Sequence, residues 1–294
     1  MKIAVAKYPI DAPRRFDDFA EKQSRWLREA ASAGVDVAVL PEYLSLELGA
    51  TFASEIREDL HASLAAIQQY RKAWLDLYAG LARDRGLRIV AGTFLLDVGG
   101  GRYRNRADLF SPDGGHFWQD KLQLTGFEKK AGVFEGGDAL KVFEFDSVRV
   151  GIAICYDVEF PLPLRAQCEA GAQLLLVPSC TDTAAGATRV RVGCLARALE
   201  NRCFVAQAVT TGEAAWSPAL DLNTGEATVY APMDVGLPAD GIVAASDDAP
   251  GWTYADINAA QLADSRADAQ VANDRDWSGQ WAPALQQAKV ETCG

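Results

Sequence analysis

The chain has 294 residues, with 29 basic and 40 acidic side chains, a formal net charge of −11 and 49% hydrophobic residues. That charge balance argues against nucleic acid and anionic membrane as partners, because both are bound through clustered Lys and Arg. No stretch approaches the ~18 apolar residues of a membrane span, and the start "MKIAVAKYPI" lacks the apolar segment and cleavage site of a signal peptide, so a cytoplasmic location is expected.

The elements alternate between strand-like and amphipathic runs. "KIAVAKYP" (Lys2–Pro9) predicts a strand. "RRFDDFAEKQSRWLREAASAG" predicts a helix, with Phe16, Phe19, Trp26, Leu27 and Ala30 at helical spacing. "DVAVLPEY" predicts a buried strand, and one long helix is expected from about Ser54 to Arg85. Strands follow at "LRIVAGTFLL", "YRNRADLFS" and "HFWQDK". "ALKVFEF" and "VRVGIAIC" predict a hairpin turning at Asp146-Ser147. A helix over Leu164–Ala170, the strand "LLLVPS", a helix over Thr188–Arg202 and the strand "CFVAQAVT" come next. "ATVYAP", "GIVAAS" and "WTYADI" are the last strand-like runs. No Pro/Gly/Ser linker divides the chain, so one domain over residues 1–271 and a loose tail over 272–294 are expected.

The chain also repeats itself weakly. "KIAVAKY", a helix and "GVDVAVLPEY" parallel "RVGIAIC", a helix and "GAQLLLVPSC", with Gly34 matching Gly171 and Pro41 matching Pro178. Two related β-α-β halves predict two sheets packed face to face with helices outside. Chemistry in α/β proteins sits at the carboxyl ends of such strands, where Glu42 and Cys155 both fall.

A thiol at the end of the strand "VGIAIC" is placed as a nucleophile, and it needs a base. Histidine is the usual partner, and the chain has two. His61 lies within the expected long helix and His116 follows Asp113-Gly114-Gly115; neither is excluded by sequence. The other available base is a carboxylate with a raised pKa, and Glu42, carried out of the core after "VDVAVLP", fits that part. Lys121, at the end of "FWQDK", supplies a cation that can hold a developing oxyanion. Of the six cysteines, Cys168, Cys194 and Cys203 fall in apolar runs, Cys293 in the tail, and Cys180 beside the site after "LLLVPS". None forms a CxxC pair, so free thiols are expected and zinc is not.

On the stretches "VLPEY", "DKLQL" and "GIAICYDVEFP", supported by "GAQLLLVPS" and "RALENRCFVAQA", the chain resembles the nitrilase, or carbon–nitrogen hydrolase, superfamily. The resemblance implies an α/β fold of the four-layer αββα sandwich type. It implies hydrolysis of non-peptide C–N bonds without metal or organic cofactor, and homodimers or larger homo-oligomers. Carried over by position, Glu42 is the general base, Lys121 the oxyanion stabiliser and Cys155 the nucleophile. The Tyr156 backbone N–H completes the oxyanion hole, and Glu128 in "LTGFEKK" matches a second active-site glutamate; Cys180 is expected to line the pocket. The chain departs from the family pattern at Gln123, at Glu159-Phe160-Pro161-Leu162 and at Cys180-Thr181-Asp182, positions expected in a pocket wall. The reading that results is hydrolysis of a small linear amide through a thioester. A nitrile or N-carbamoyl compound is the alternative within the class, and a silent scaffold or a thiol redox sensor using Cys155 and Cys180 the alternative outside it.

Overall fold

The computed structural model describes residues 1–146 and 148–292. Its strands are β1 (Lys2–Pro9), β2 (Val37–Leu40), β3 (Arg88–Gly99), β4 (Arg102–Phe110), β5 (His116–Asp120), β6 (Val142–Phe145), β7 (Val148–Ile152), β8 (Leu174–Ser179), β9 (Phe204–Glu213), β10 (Leu222–Asn223), β11 (Thr228–Tyr230), β12 (Ile242–Ala245) and β13 (Gly251–Asp256). Its helices are α1 (Phe16–Ser32), α2 (Ser54–Arg57), α3 (Leu60–Ile67), α4 (Arg71–Arg85), α5 (Gly126–Ala131), α6 (Pro161–Glu169), α7 (Ala184–Asn201), α8 (Ala259–Asp264) and α9 (Asn273–Asp276). No helix among the described residues is long and apolar enough to cross a membrane.

The strand order β5-β4-β3-β2-β1-β9-β8-β7-β6 joins two halves where Lys7–Pro9 of β1 run parallel to Val209–Thr211 of β9. Within each half the first βαβ unit is parallel: β1 pairs β2 around α1, and β7 pairs β8 around α6. The repeat read in the sequence is therefore a structural one, and Gly34 and Gly171 both take positive φ (72° and 97°), a left-handed conformation open to glycine.

Alternation of side chains along β1 separates two cores. Ile3 and Val5 point to the layer shared with Val150, Ile152, Leu174 and Leu176 of the second half. Ala4, Ala6 and Tyr8 point the other way, onto Phe19 and Leu27 of α1 and Trp74 and Tyr78 of α4. The second half is covered in turn by Leu164 of α6 and Val190, Cys194 and Ala198 of α7. Helix, sheet, sheet, helix is the αββα sandwich.

The expected helix over Ser54–Arg85 is instead broken. Asp59 is extended (φ −110°, ψ 122°) and its carboxylate accepts from the Ala62 N–H, so it ends one helix and caps the next. A 3₁₀ turn at Gln68–Tyr70 makes the second bend, where Gln68 Nε2 donates to Leu64 O and Leu95 O (both 2.8 Å). Apolar periodicity runs across these bends, whereas side-chain capping and tertiary bonding set them. Helix α7 starts four residues before the expected Thr188, because Thr183 Oγ1 accepts from the Gly186 N–H at 3.0 Å. Helix α6 likewise starts earlier than expected, with Pro161 at its first position. Ser147 of the expected hairpin turn lies outside the described residues; β6 and β7 pair as expected, Val142–Phe145 against Val148–Gly151. Beyond residue 271, α9 and a 3₁₀ turn at Trp277–Trp281 follow, and the Asp274 carbonyl accepts from Arg165 at 2.8 Å.

One backbone contact controls the loop carrying Glu42. Gly92 sits at a register shift in β3 with φ +63°, and a Cβ built there would lie 2.2 Å from Pro41 O. Gly92→Ala is expected to destabilise the fold by at least about 2 kcal/mol, since it adds left-handed strain to a backbone overlap. Chemical denaturation checks this: an unchanged midpoint would mean that Pro41 moves aside freely.

Candidate active site

Four strand ends converge on one cavity of about 270 Å³, lined among others by Glu42, Lys121, Cys155, Tyr156 and Cys180. Glu42 follows β2 and Pro41; its carbonyl accepts from Thr210 Oγ1 of β9 at 3.1 Å. Lys121 is the residue after β5, its N–H donating to Asn105 O at 2.8 Å. Cys155 lies three residues beyond β7 and opens a 3₁₀ turn, Cys155–Glu159. It holds φ 49°, a left-handed conformation uncommon for a residue with a Cβ. Such strain is kept where the surroundings over-determine it, as at a nucleophile presented on a tight turn.

The centre of the site is an ammonium between two carboxylates. Lys121 Nζ lies 2.8 Å from Glu42 Oε1 and 3.0 Å from Glu128. Lys121 and Glu42 are each 1% exposed and Glu128 is fully buried. Buried charges survive only when paired and hydrogen-bonded, and both carboxylates here take further donors besides the ammonium. Asn105 Nδ2 donates to Glu42 Oε1 at 2.8 Å and reaches Glu128 Oε1 at 3.3 Å. The Cys180 N–H donates to Glu42 Oε2 at 3.1 Å, from the far half of the sandwich. Glu128 caps its own helix through Thr125, whose N–H donates to Oε2 at 2.8 Å, and Tyr43 O–H donates to Oε1 at 2.8 Å. Glu128 is thus a partner of Lys121 rather than of Lys129 or Lys130.

The two carboxylates are driven in opposite directions. Burial pushes the Glu42 pKa up, and Lys121 only partly offsets that, so the pKa ends above its ordinary value. Burial acts on Glu128 too, but the Lys121 charge and the Thr125 N–H outweigh it and hold its pKa below the usual range. Divergent pKa values in such a pair separate a proton carrier from a permanent anion. Lys121 has its pKa raised despite burial, by the two carboxylates, and stays an ammonium. The Cys155 thiol is pushed well up, first by burial and then by the Glu42 charge, with Lys121 opposing. The Cys155 side chain therefore rests as a neutral thiol. Its Sγ donates to Cys180 O at 3.6 Å, with the Glu42 carboxylate close enough to act on its charge.

The neighbouring loops are clamped by Asp157, which sequence reasoning did not single out. Its carboxylate accepts from Leu122 N (3.0 Å), Gln123 N (2.7 Å) and Ile154 N (3.1 Å), tying the lysine loop to the cysteine loop. Burial pushes its pKa up to about 6, while these three N–H groups and Lys121 pull against it. Below the turn, Arg197 Nη1 donates to Val158 O at 3.2 Å and pairs with Glu200 at 2.9 Å. Helix α7 approaches the same turn at Gly193, where a Cβ would lie 2.9 Å from Val158 Cγ1.

Asn105 was also missed, and its signal is visible in retrospect. In "YRNRADLF" the residues Tyr103, Asn105 and Ala107 share the buried face of β4, so an amide stands where the alternation calls for an apolar side chain. The two histidines lie elsewhere. His116 Nε2 sits 3.0 Å from Asp108 Oδ1 and stacks on Phe110, and His61 is exposed on α3; neither lines the cavity. Trp216 packs in the first-half core beside Gly49. Cys180 lines the cavity, half-buried, with its Sγ 3.2 Å from Asn223 Oδ1. Cys168, Cys194 and Cys203 are free thiols away from it, and Cys293 lies outside the described residues.

Residues 2–266 match the model of the carbon–nitrogen hydrolase family. Among characterised relatives, a probable hydrolase of Bacillus subtilis is 31% identical over 245 residues, covering 83% of this chain and 47% of the relative, so the chain spans about half that protein's length. An omega-amidase of Danio rerio is 25% identical over 257 residues, covering 85% of this chain and 86% of the relative. Among solved structures, a double mutant of the amidase from Nesterenkonia sp. AN1 in complex with acrylamide superposes with a TM-score of 0.68 at 25% identity, covering 94% of this chain and 97% of that one. A second form of that amidase, showing Michael addition of acrylamide at the active site cysteine, has a TM-score of 0.65 at 26% identity over 94% of this chain and 99% of that one. With a family match running through every strand of the sandwich and through all four strand ends at the cavity, the chain belongs to the carbon–nitrogen hydrolase family.

Proposed function

We propose that the protein hydrolyses a small linear amide to a carboxylate and ammonia or an amine, through a thioester on Cys155. The observation that carries this reading is the buried Glu42–Lys121–Glu128 cluster opening beside the Cys155 thiol in one cavity. The amidase names of the relatives favour an amide over a nitrile or N-carbamoyl substrate. The same reading has the chain working as a homodimer or larger assembly, as the resemblance implies.

Glu42, with its raised pKa, takes the thiol proton as sulfur attacks the substrate carbonyl carbon. The carbonyl oxygen becomes an oxyanion, held by the Lys121 ammonium and the Tyr156 N–H. The first N–H groups of a helical turn have no partner within it, which leaves them free for such a role. Collapse of the tetrahedral species breaks the C–N bond, and Glu42 returns its proton to the leaving nitrogen. Water then gives a proton to Glu42 as its oxygen attacks the thioester; the C–S bond breaks, Glu42 returns that proton to sulfur, and the carboxylic acid leaves and ionises in solvent. Glu128 stays anionic throughout, keeping Lys121 charged and in place. Because the thiol rests neutral, its proton must be moved within each turnover, which gives Glu42 its task.

Cys155→Ala should remain folded and lose turnover, because the truncated side chain faces the cavity. Substantial residual kcat would put the nucleophile elsewhere. Glu42→Gln and Lys121→Ala are each expected to lower kcat/KM by at least ~10²-fold, the usual effect of losing a general base or an oxyanion donor. Near-normal kinetics in a folded variant would remove that residue's role.

The pH profile follows from the directions of shift. Glu42 must be ionised to accept a proton, and its pKa lies above the ~4.3 of a free glutamate. Activity should therefore fall as acid protonates Glu42, with an apparent pKa that belongs to the coupled cluster. Lys121, with its pKa raised, gives no alkaline loss below about pH 9, under even its ordinary ~10.4. A profile flat down to pH 4 would exclude Glu42 as the base.

A further inference from the structure

The cavity mouth carries charges that the chemistry of bond cleavage does not use. Glu159, Asp182, Arg189 and Asp221 all line it. Arg189 Nε lies 3.6 Å from Glu159 Oε1, so the one cation of the rim among the described residues already faces an acid. Asp182 and Asp221 are exposed, and among the described residues neither makes an ion pair. Deeper in, two carboxylates share the single Lys121 ammonium, and the neutral Cys155 thiol adds no charge. Rim and floor are thus negative together. Apolar side chains line the cavity beside these charges: Phe127, Pro218 and Leu222, exposed like Asp182 and Asp221, and Val190, which is buried. Low-dielectric walls around charges of one sign focus their field into a cleft.

We propose that this rim selects amides bearing a cationic group, such as a protonated amine, on the side of the scissile carbonyl away from the thiol. Asp182 and Asp221 are then specificity-determining residues, and Glu159 contributes by occupying Arg189, which would otherwise attract a carboxylate. A cationic group at the rim lies against Asp182 and Asp221 while the carbonyl reaches Cys155. An anionic substrate meets like charge at both levels. This inference rests on the amidase reading, so its test includes an arm that needs no turnover.

The turnover-free arm compares the second-order rates at which aminoethyl and sulfonatoethyl methanethiosulfonate modify Cys155, each divided by its rate with a small free thiol. Peptide mapping confines the reading to Cys155. The cationic reagent is expected to be favoured by about tenfold or more at low ionic strength, the lower end of the effect of a focused field on encounter. That preference should shrink with added salt, which screens exposed charges. In the turnover arm, kcat/KM is measured for linear amides of matched length ending in an ammonium, a methyl or a carboxylate. The ammonium compound is expected to lead, chiefly through KM. In both arms the double variant Asp182→Asn/Asp221→Asn should reduce the cationic preference several-fold, and Glu159→Gln should raise the rate with the anionic partner. The proposal is overturned if the anionic reagent or amide is preferred, or if the double variant leaves the charge preference unchanged. Loss of the amidase reading looks different: Cys155 would still show the cationic preference with the thiosulfonates while none of the amides is cleaved.

Discussion

The ammonium of Lys121, wedged between Glu42 and Glu128 with almost no water, is the interaction on which the rest of the site depends. Removing one member of a buried ion cluster leaves an uncompensated charge and typically costs 3–5 kcal/mol. Yet a cluster of this kind stabilises little over a well-packed apolar set of the same volume. Its presence therefore points to chemistry. What the fold gains is one carboxylate whose pKa is lifted by burial while its neighbour's is held down, from two glutamates on one lysine.

The sandwich supplies what such a cluster needs, since its members leave separate elements, β2, β5 and α5, and must meet within hydrogen-bonding distance. Glu42 comes from the first half yet takes one hydrogen bond from Cys180 of the second, and its own carbonyl takes one from Thr210. The halves meet at the β1–β9 pair, close to these ends of the strands, so little chain separates the seam from the base. Gly92 lets β3 pass against Pro41, Asp157 ties the lysine loop to the cysteine turn, and Gly193 lets α7 close beneath that turn. Each is a backbone constraint, so the positions of the reacting atoms are set by strands and tight turns rather than by long mobile side chains.

Much of this was legible in the sequence, unevenly. β1 and β8 matched residue for residue because short, bounded apolar runs carry their own limits, and the βαβ repeat announced the two halves. The region from Ser54 to Arg85 did not, because apolar periodicity persists through a capped break and a 3₁₀ bend that depend on Asp59 and on Gln68 reaching Leu95. At the site, Glu42, Lys121 and Cys155 were legible as strand-end residues, and the fold brings them to one cavity. Asp157 was not, since two of the three N–H groups on its carboxylate come from the distant lysine loop and reach it only in the folded chain. The charge state of Cys155 was not legible for a related reason: a neighbouring lysine can be named from sequence, but the depth of burial that outweighs it cannot.

Keeping the thiol neutral has a chemical logic. A permanent thiolate would be the stronger nucleophile, but it would add a third negative charge beside Glu42 and Glu128 with one ammonium among them. In the proposed mechanism the negative charge instead rests on Glu42, a weak nucleophile, and passes to sulfur only when a carbonyl arrives to accept it. As charge passes from carboxylate to sulfur to oxyanion, Lys121 stays within reach of its start and, in the proposed mechanism, of its end. The ammonium therefore need not move during the reaction, and a fixed dipole or charge that needs no reorganisation is the most effective form of electrostatic stabilisation. The rigid capping of Glu128 by Thr125 and the donation from Tyr43 serve that same end, because a lysine held by an immobile anion cannot follow the proton away from the carbonyl oxygen.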